Sequence, residues 1–144
     1  MAENQTETPP PIEPPPAQPA PPPASPNNDA RMWNMLCHMS ALAGCVVPIG
    51  HLLGPLIIWQ LKKNEFPSVD IHGKASLNFQ ITVTIAVFVG LVAAFALSFF
   101  CIGYLLFPIV GLIGLAGLVF AVIAGIKANN GEDFKYPYSL ELIK

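Results

Sequence analysis

Residues 75–126 read ASLNFQITVTIAVFVGLVAAFALSFFCIGYLLFPIVGLIGLAGLVFAVIAGI, 52 consecutive positions between Lys74 and Lys127 without Asp, Glu, Lys or Arg. A helix needs only about 20 apolar residues to cross a hydrocarbon core roughly 30 Å thick. As one helix, at about 1.5 Å per residue, this stretch would be on the order of 78 Å long, so it must turn back on itself. Two spans are expected, over 75–99 and 104–127, with the turn near Phe100 to Phe107. There Gly103 and Pro108 flank Tyr104, an aromatic suited to the membrane interface.

The two spans carry a pattern that predicts how they meet. Asn78, Thr82, Ala86, Gly90, Ala94 and Ser98 recur every fourth residue and lay a small or polar stripe along the first. Gly117, Ala121 and Gly125, backed by Gly111 and Gly114, answer from the second. In lipid, small faces let helix backbones approach closely, and polar side chains such as Asn78 can bond across the contact. A tight transmembrane hairpin follows.

Toward the N-terminus, Met32 to Leu61 form another stretch of 30 residues free of charge, interrupted by Pro48, Gly50, Gly54 and Pro55. Each proline removes a backbone hydrogen bond. The expected arrangement is one kinked, tilted span; the alternative is a pair of half-helices that enter and leave on the same side, as broken helices do where protein satisfies the freed carbonyls. Lysines in short loops favour the cytoplasm. Lys62, Lys63 and Lys74 follow the first segment and Lys127, Lys135 and Lys144 follow the last, so both regions, including the C-terminus, are expected inside. A spanning first segment would put the N-terminal tail outside, and a re-entrant one would put it inside.

The tail itself, residues 1–30, holds 11 of the chain's 16 prolines, four acids, and neither a basic nor an aromatic residue. Such a segment cannot bury enough apolar surface to offset its ordering entropy, so it is expected to be a disordered tether with polyproline II character. The chain begins acidic and proline-rich rather than with a basic region, which argues against an ordinary secretory signal. Over all 144 residues the chain is 53% hydrophobic and 11% charged, with a net charge of −2, against about 25% charged in an ordinary globular domain. The balance excludes a nucleic-acid binder, which needs clustered Lys and Arg on a soluble face. The resulting class is an all-α, small multi-pass helical membrane protein, with 31–144 as its membrane domain and 128–144 as an interfacial C-terminal tail. The alternation of Phe134, Tyr136, Tyr138, Leu140 and Leu142 with polar residues predicts that this tail lies extended, apolar side toward lipid or helix ends.

Candidate chemistry is sparse. Cys37, Cys45 and Cys101 lie in apolar stretches without CxxC spacing and read as small buried hydrophobes. Cys37, His38, Cys45 and His51 invite a metal or haem reading, but Pro48 interrupts the helix before His51 and the segment holds no carboxylate; packing histidines are expected, with no metal and no cofactor. Leu42-Ala43-Gly44-Cys45 has the form of a lipoprotein cleavage box, yet more apolar sequence follows it and lipidation is not expected. Asp70, His72 and Lys74 form a polar loop motif at the mouth of the second apolar segment, where Asp70 suits a helix N-terminus and its capping.

Three motifs carry a resemblance. The run Gly54-Pro55-Leu56-Ile57-Ile58-Trp59-Gln60-Leu61-Lys62-Lys63, the run Val69-Asp70-Ile71-His72-Gly73-Lys74-Ala75 leading to Leu77-Asn78-Phe79-Gln80, and Ile126-Lys127-Ala128-Asn129-Asn130-Gly131-Glu132 before Tyr136-Pro137 resemble a bacterial membrane family of unknown function. That family is grouped with the Tic-type chloroplast protein-import component and includes the magnetosome membrane proteins MamF and MmsF. The resemblance spans about residues 31–144 and implies a multi-pass helical protein, not an enzyme, with a role in membrane assembly or protein import. It carries over no catalytic residue, and the usual four spans of the Tic-type component are not matched here. The expected function is a non-catalytic membrane interaction, assembly or scaffold protein of the bacterial inner membrane, partnered by the bilayer and by another membrane protein or a second copy. The alternative is a small oligomeric transport or translocation subunit lined by Asn78, Gln80, Thr82 and Thr84.

Overall fold

A computed structural model describes residues 26–144, so all but the last five positions of the proline-rich tail lie outside the described residues. The described part is helical: α1 (Pro26–Met39), a 3-10 segment η1 (Ser40–Cys45), α2 (Gly50–Lys62), α3 (Pro67–Ser98), a 3-10 turn η2 (Ile102–Leu105) and α4 (Leu106–Asn129). No strand occurs among the described residues.

The first apolar segment does not run through as a single kinked helix. It doubles back, and α2 returns antiparallel against α1 and η1. Lys62 Nζ lies 4.8 Å from the Trp33 ring centroid at one end of the pair, and at the other a Cβ on Gly50 or Gly54 would collide with the carbonyls of Ala43 and Ser40. The sequence reason is local. Val46 to Ile49, around Pro48, forms the turn, and the two glycines allow the returning backbone to press on the outgoing one. This path is that of the paired half-helices rather than of the single kinked helix.

Helices α3 and α4 form the second hairpin and, among the described residues, are the two helices long and apolar enough to cross a membrane. α3 starts eight residues before the expected span, because Phe66 is extended and Pro67 occupies the first helical turn, where its missing N–H costs nothing. Its 32 residues exceed what a bilayer takes. The first turns, Pro67 to Leu77, carry Asp70, His72 and Lys74, and the part without charge runs from Ala75 to Ser98. The outer faces of α3 and α4 beyond those first turns are exposed Phe88, Val92, Phe95, Leu112, Leu115 and Val119, the surface a hydrocarbon core accepts. At the far end Cys101 adopts a left-handed conformation (φ 61°) between α3 and η2.

At the other end, Gly131 (φ 81°) closes α4, with its N–H and that of Glu132 bonded to the carbonyls of Ala128 and Lys127. The chain then folds back over α3. Tyr136 is buried against Phe79, ring centroids 4.0 Å apart and planes 13° from parallel, and Phe134 packs edge-on against it. Phe79, Ala124 and Tyr136 make the hydrophobic centre, with Ala75, Val83, Phe120 and Phe134 around it. Phe134 and Tyr136 point inward as the alternation predicts, but Tyr138 is 95% exposed and left-handed (φ 57°), which turns the tail and ends the alternation.

Candidate functional site

The charged end of the molecule contains a polar cluster built by α1, α3 and the C-terminal tail. His38 (α1) is fully buried, with Nδ1 2.8 Å from the Tyr136 hydroxyl and Nε2 3.1 Å from His72 Nδ1. His72 Nε2 stands 3.5 Å from Asp133 Oδ1, whose carboxylate is open to solvent. A neutral imidazole donates from one nitrogen and accepts at the other. One assignment satisfies the whole row: Tyr136 O–H donates to His38, His38 Nε2–H donates to His72, and His72 Nε2–H faces Asp133. Two further bonds tie the same helices, Ser76 Oγ–H donating to the Cys37 carbonyl at 2.9 Å and Ser68 Oγ–H to Asn34 Oδ1 at 3.1 Å.

The cluster's electrostatics follow from burial. Loss of solvent, aided by the neighbouring His72, pushes His38 down to about 3, so it is neutral at physiological pH. Burial pushes the Cys37 thiol up to about 12 and raises Tyr136 as well. A thiol held protonated is a poor nucleophile. Beside the cluster, α3 and the tail enclose a cleft of about 360 Å³ bordered by His72, Asn78, Asp133, Tyr136, Glu141 and Lys144.

The loop motif divides. Residues two apart on a helix point in nearly opposite directions. Asp70 and Lys74, four apart, pair at 2.6 Å, and Asp70 also accepts the Trp59 indole N–H at 2.7 Å, tying α3 to α2. These partners, Lys74 first, hold the Asp70 carboxyl below the usual carboxylate range. Asp70 does not cap α3: Phe66 occupies that position, and no side chain caps the helix. His72 faces the other way, into the cluster. Gly73 lies against Trp59, where a Cβ would overlap the indole.

Along the stripe, Gly90 faces Val110 and Gly117 faces Val83, where an added Cβ would come within 2.7 and 3.1 Å. Ala94 and Ala121 are fully buried, Thr82 and Ser98 are half-buried, and Ala86 is exposed. Gly125 packs on Met39 of α1 rather than on α3, and Gly111 and Gly114 have nothing within reach of a Cβ. The polar members do not bridge to α4. Ser98 and Thr82 hydroxyls donate to the carbonyls four residues back. Asn78 grips the tail, its Oδ1 accepting from the N–H groups of Leu142 and Ile143 and its Nδ2–H donating to the Ile143 carbonyl. Thr82 Oγ1 accepts the Leu140 N–H at 2.9 Å.

Cys45 and Cys101 are exposed and Cys37 is buried. His51 is at the first hairpin's turn, bonded to Thr84 and the Pro48 carbonyl, away from His38. Among the described residues no group of three or more His, Cys, Asp or Glu could hold a metal ion.

With the three quoted motifs assembled around this charged end, comparison with known proteins places the chain. A family model matches residues 29–143. The chain belongs to the magnetosome magnetite crystal formation protein family. No curated protein and no solved structure matches it. The match covers both hairpins and the tail up to Ile143, and with the two long apolar helices it makes the chain a membrane protein. In this member of the magnetosome family the residues that the sequence alone does not single out are Ser76, Ser68 and Asn34, and Tyr136 is picked out there only as part of the tail's alternation and motif, not as a partner of His38. Only the coincidence of small polar residues in α1 and the first turns of α3 hints at the other three.

Proposed function

We propose that this member of the magnetosome family is a non-catalytic membrane assembly or scaffold protein of a bacterial inner membrane or a compartment formed from it. Its lysines and C-terminus face the cytoplasm, and the charged end presents a platform to a membrane-protein partner or a second copy. One observation carries the reading. The polar side chains of the charged end are spent on one another, His38 on Tyr136 and His72, Asn78 and Thr82 on the tail, Asp70 on Trp59 and Lys74. Groups fixed in this way rigidify a surface and have little capacity left for a substrate. The family's description extends the role to the membrane on which magnetite crystals form. The translocation alternative, of the Tic-like type, is less favoured because Asn78, Thr82 and Thr84 are already engaged within the fold.

Crosslinking in native membranes, followed by identification of partners and by proteoliposome flux, tests the proposal. A reproducible set of membrane-protein partners, with flux equal to empty vesicles, is the expected result. Flux above that background would replace the scaffold reading with the translocation one.

A further inference from the structure

On the membrane side of the polar cluster, a groove of about 500 Å³ separates the turn of the first hairpin from α3 and α4. Its wall includes Gln80, Thr84, Val87 and Leu91 of α3, His51 in the first turn of α2, and Gly114 of α4. His51 and Thr84 are committed, His51 Nδ1–H to the Pro48 carbonyl and Nε2 to Thr84 Oγ1, each at 2.8 Å. Gln80 is not. Its side chain is 4% exposed, and its Nε2 has no hydrogen-bond partner among the described residues. A buried amide without a partner is costly, and most such groups have one. The floor is vacant too, since a Cβ added at Gly114 would meet nothing within 4 Å.

The depth of the groove identifies what fits it. Gln80 lies two residues past Asn78, where the polar end gives way to the apolar span. From Gln80 to Leu91, α3 rises about 16 Å, close to half of a hydrocarbon core roughly 30 Å thick. The ester carbonyl of a glycerolipid lies at the boundary between headgroup and hydrocarbon, and its acyl chain runs from there to the midplane. We infer that the groove holds one acyl chain of a glycerolipid from the leaflet on the charged side. Gln80 Nε2 is closed off in this conformer, and a turn of the side chain brings its N–H into the groove, where the ester carbonyl accepts it; the chain passes over Gly114 to Leu91. The occupant supplies the missing acceptor and the missing packing together.

The full chain is reconstituted into phosphatidylethanolamine and phosphatidylglycerol vesicles containing a trace of diester phosphatidylglycerol with a mid-chain diazirine, and photolabelled positions are mapped by mass spectrometry. Labelling at Val87, Leu91 and Leu118 is expected to exceed that at the outward Phe95 and Leu112 several-fold. Gly114→Leu, whose Cβ meets no heavy atom within 4 Å, is expected to lower groove labelling about fivefold or more, whereas Gly111→Leu, equally open at Cβ but outside the groove, leaves it unchanged. In the wild-type protein an unlabelled ether-linked analogue, lacking the carbonyl, competes about fivefold less well than the diester, the effect of one neutral hydrogen bond. In Gln80→Leu the two compete equally. Uniform labelling of groove and outer face, equal competition by ester and ether in the wild-type protein, or groove labelling indifferent to Gly114→Leu would overturn the assignment. Groove labelling that appears only at high protein-to-lipid ratio would give the groove to a second copy and overturn it equally.

Discussion

Removing the Tyr136 hydroxyl isolates what the polar cluster contributes. In Tyr136→Phe the ring keeps its stack on Phe79 and its edge contact with Phe134, but His38 Nδ1 loses the donor 2.8 Å away. His38 is fully buried, so no water replaces it, and an unsatisfied buried acceptor costs about 1–3 kcal/mol. Tyr136→Ala also removes a ring that is 5% exposed and leaves a cavity, a loss of about 3–5 kcal/mol, with the aromatic pairs adding about 0.5–1.5 kcal/mol more. Tyr138→Phe, at a side chain 95% exposed, is the control, expected to change stability by less than about 0.5 kcal/mol. Unfolding in mixed micelles of mild detergent and dodecyl sulfate, followed by tryptophan fluorescence from Trp33 and Trp59, gives the three values. A His38→Phe background should shrink the effect of Tyr136→Phe, because the partner it deprives is gone. Tyr136→Phe indistinguishable from the wild-type protein, or an effect unchanged in that background, would refute the claim that the cluster fastens the tail to α1.

Stability should also depend on acid. His38 falls to about 3 in the folded chain against an ordinary 6.5, so the folded state binds fewer protons, and stability is lost as pH drops below about 6.5 by roughly 1.4 kcal/mol per unit; His38→Phe should flatten that slope between pH 6.5 and 4.5. Gly90→Leu should loosen the α3–α4 hairpin, since even a Cβ there meets Val110 at 2.7 Å, with a cost of about 1–3 kcal/mol in the same micelle assay, while Gly111→Leu should cost little. Asn78→Ala removes three hydrogen bonds to Leu142 and Ile143 and should free the last residues of the tail; carboxypeptidase should then trim it several-fold faster than in the wild-type protein, with α3 intact.

The two spans were legible because hydrocarbon imposes a length, and a charge-free run of 52 residues allows few alternatives. The every-fourth-residue stripe was readable as a face but not as a list of contacts. Gly90 and Gly117 meet the neighbouring helix, whereas Ala94 lies against Gly103 of η2, Ala86 lies exposed and Gly125 meets α1, because other elements share the surfaces of α3 and α4. The path of the first segment was not legible, since Pro48 breaks a helix without saying where it goes afterwards and Pro55 lies inside α2 without ending it; the deciding contacts, Trp33 with Lys62 and Ser40 with Gly54, are tertiary. The polar cluster was half visible. His38 and His72 stood out as unusual residues, but Tyr136, the second partner of His38, lies 98 residues beyond it, a separation that no local pattern encodes.

The central claim is that the first segment re-enters, so that both ends of the described chain lie on one side of the membrane. With Cys37, Cys45 and Cys101 replaced by alanine, single cysteines at Ala30, Glu141 and Ile102 are labelled with a membrane-impermeant maleimide in sealed vesicles of known orientation. Ala30→Cys and Glu141→Cys should react from the same side and Ile102→Cys from the other. Reaction of Ala30→Cys and Glu141→Cys from opposite sides would mean that the first segment spans the bilayer, and would contradict the account.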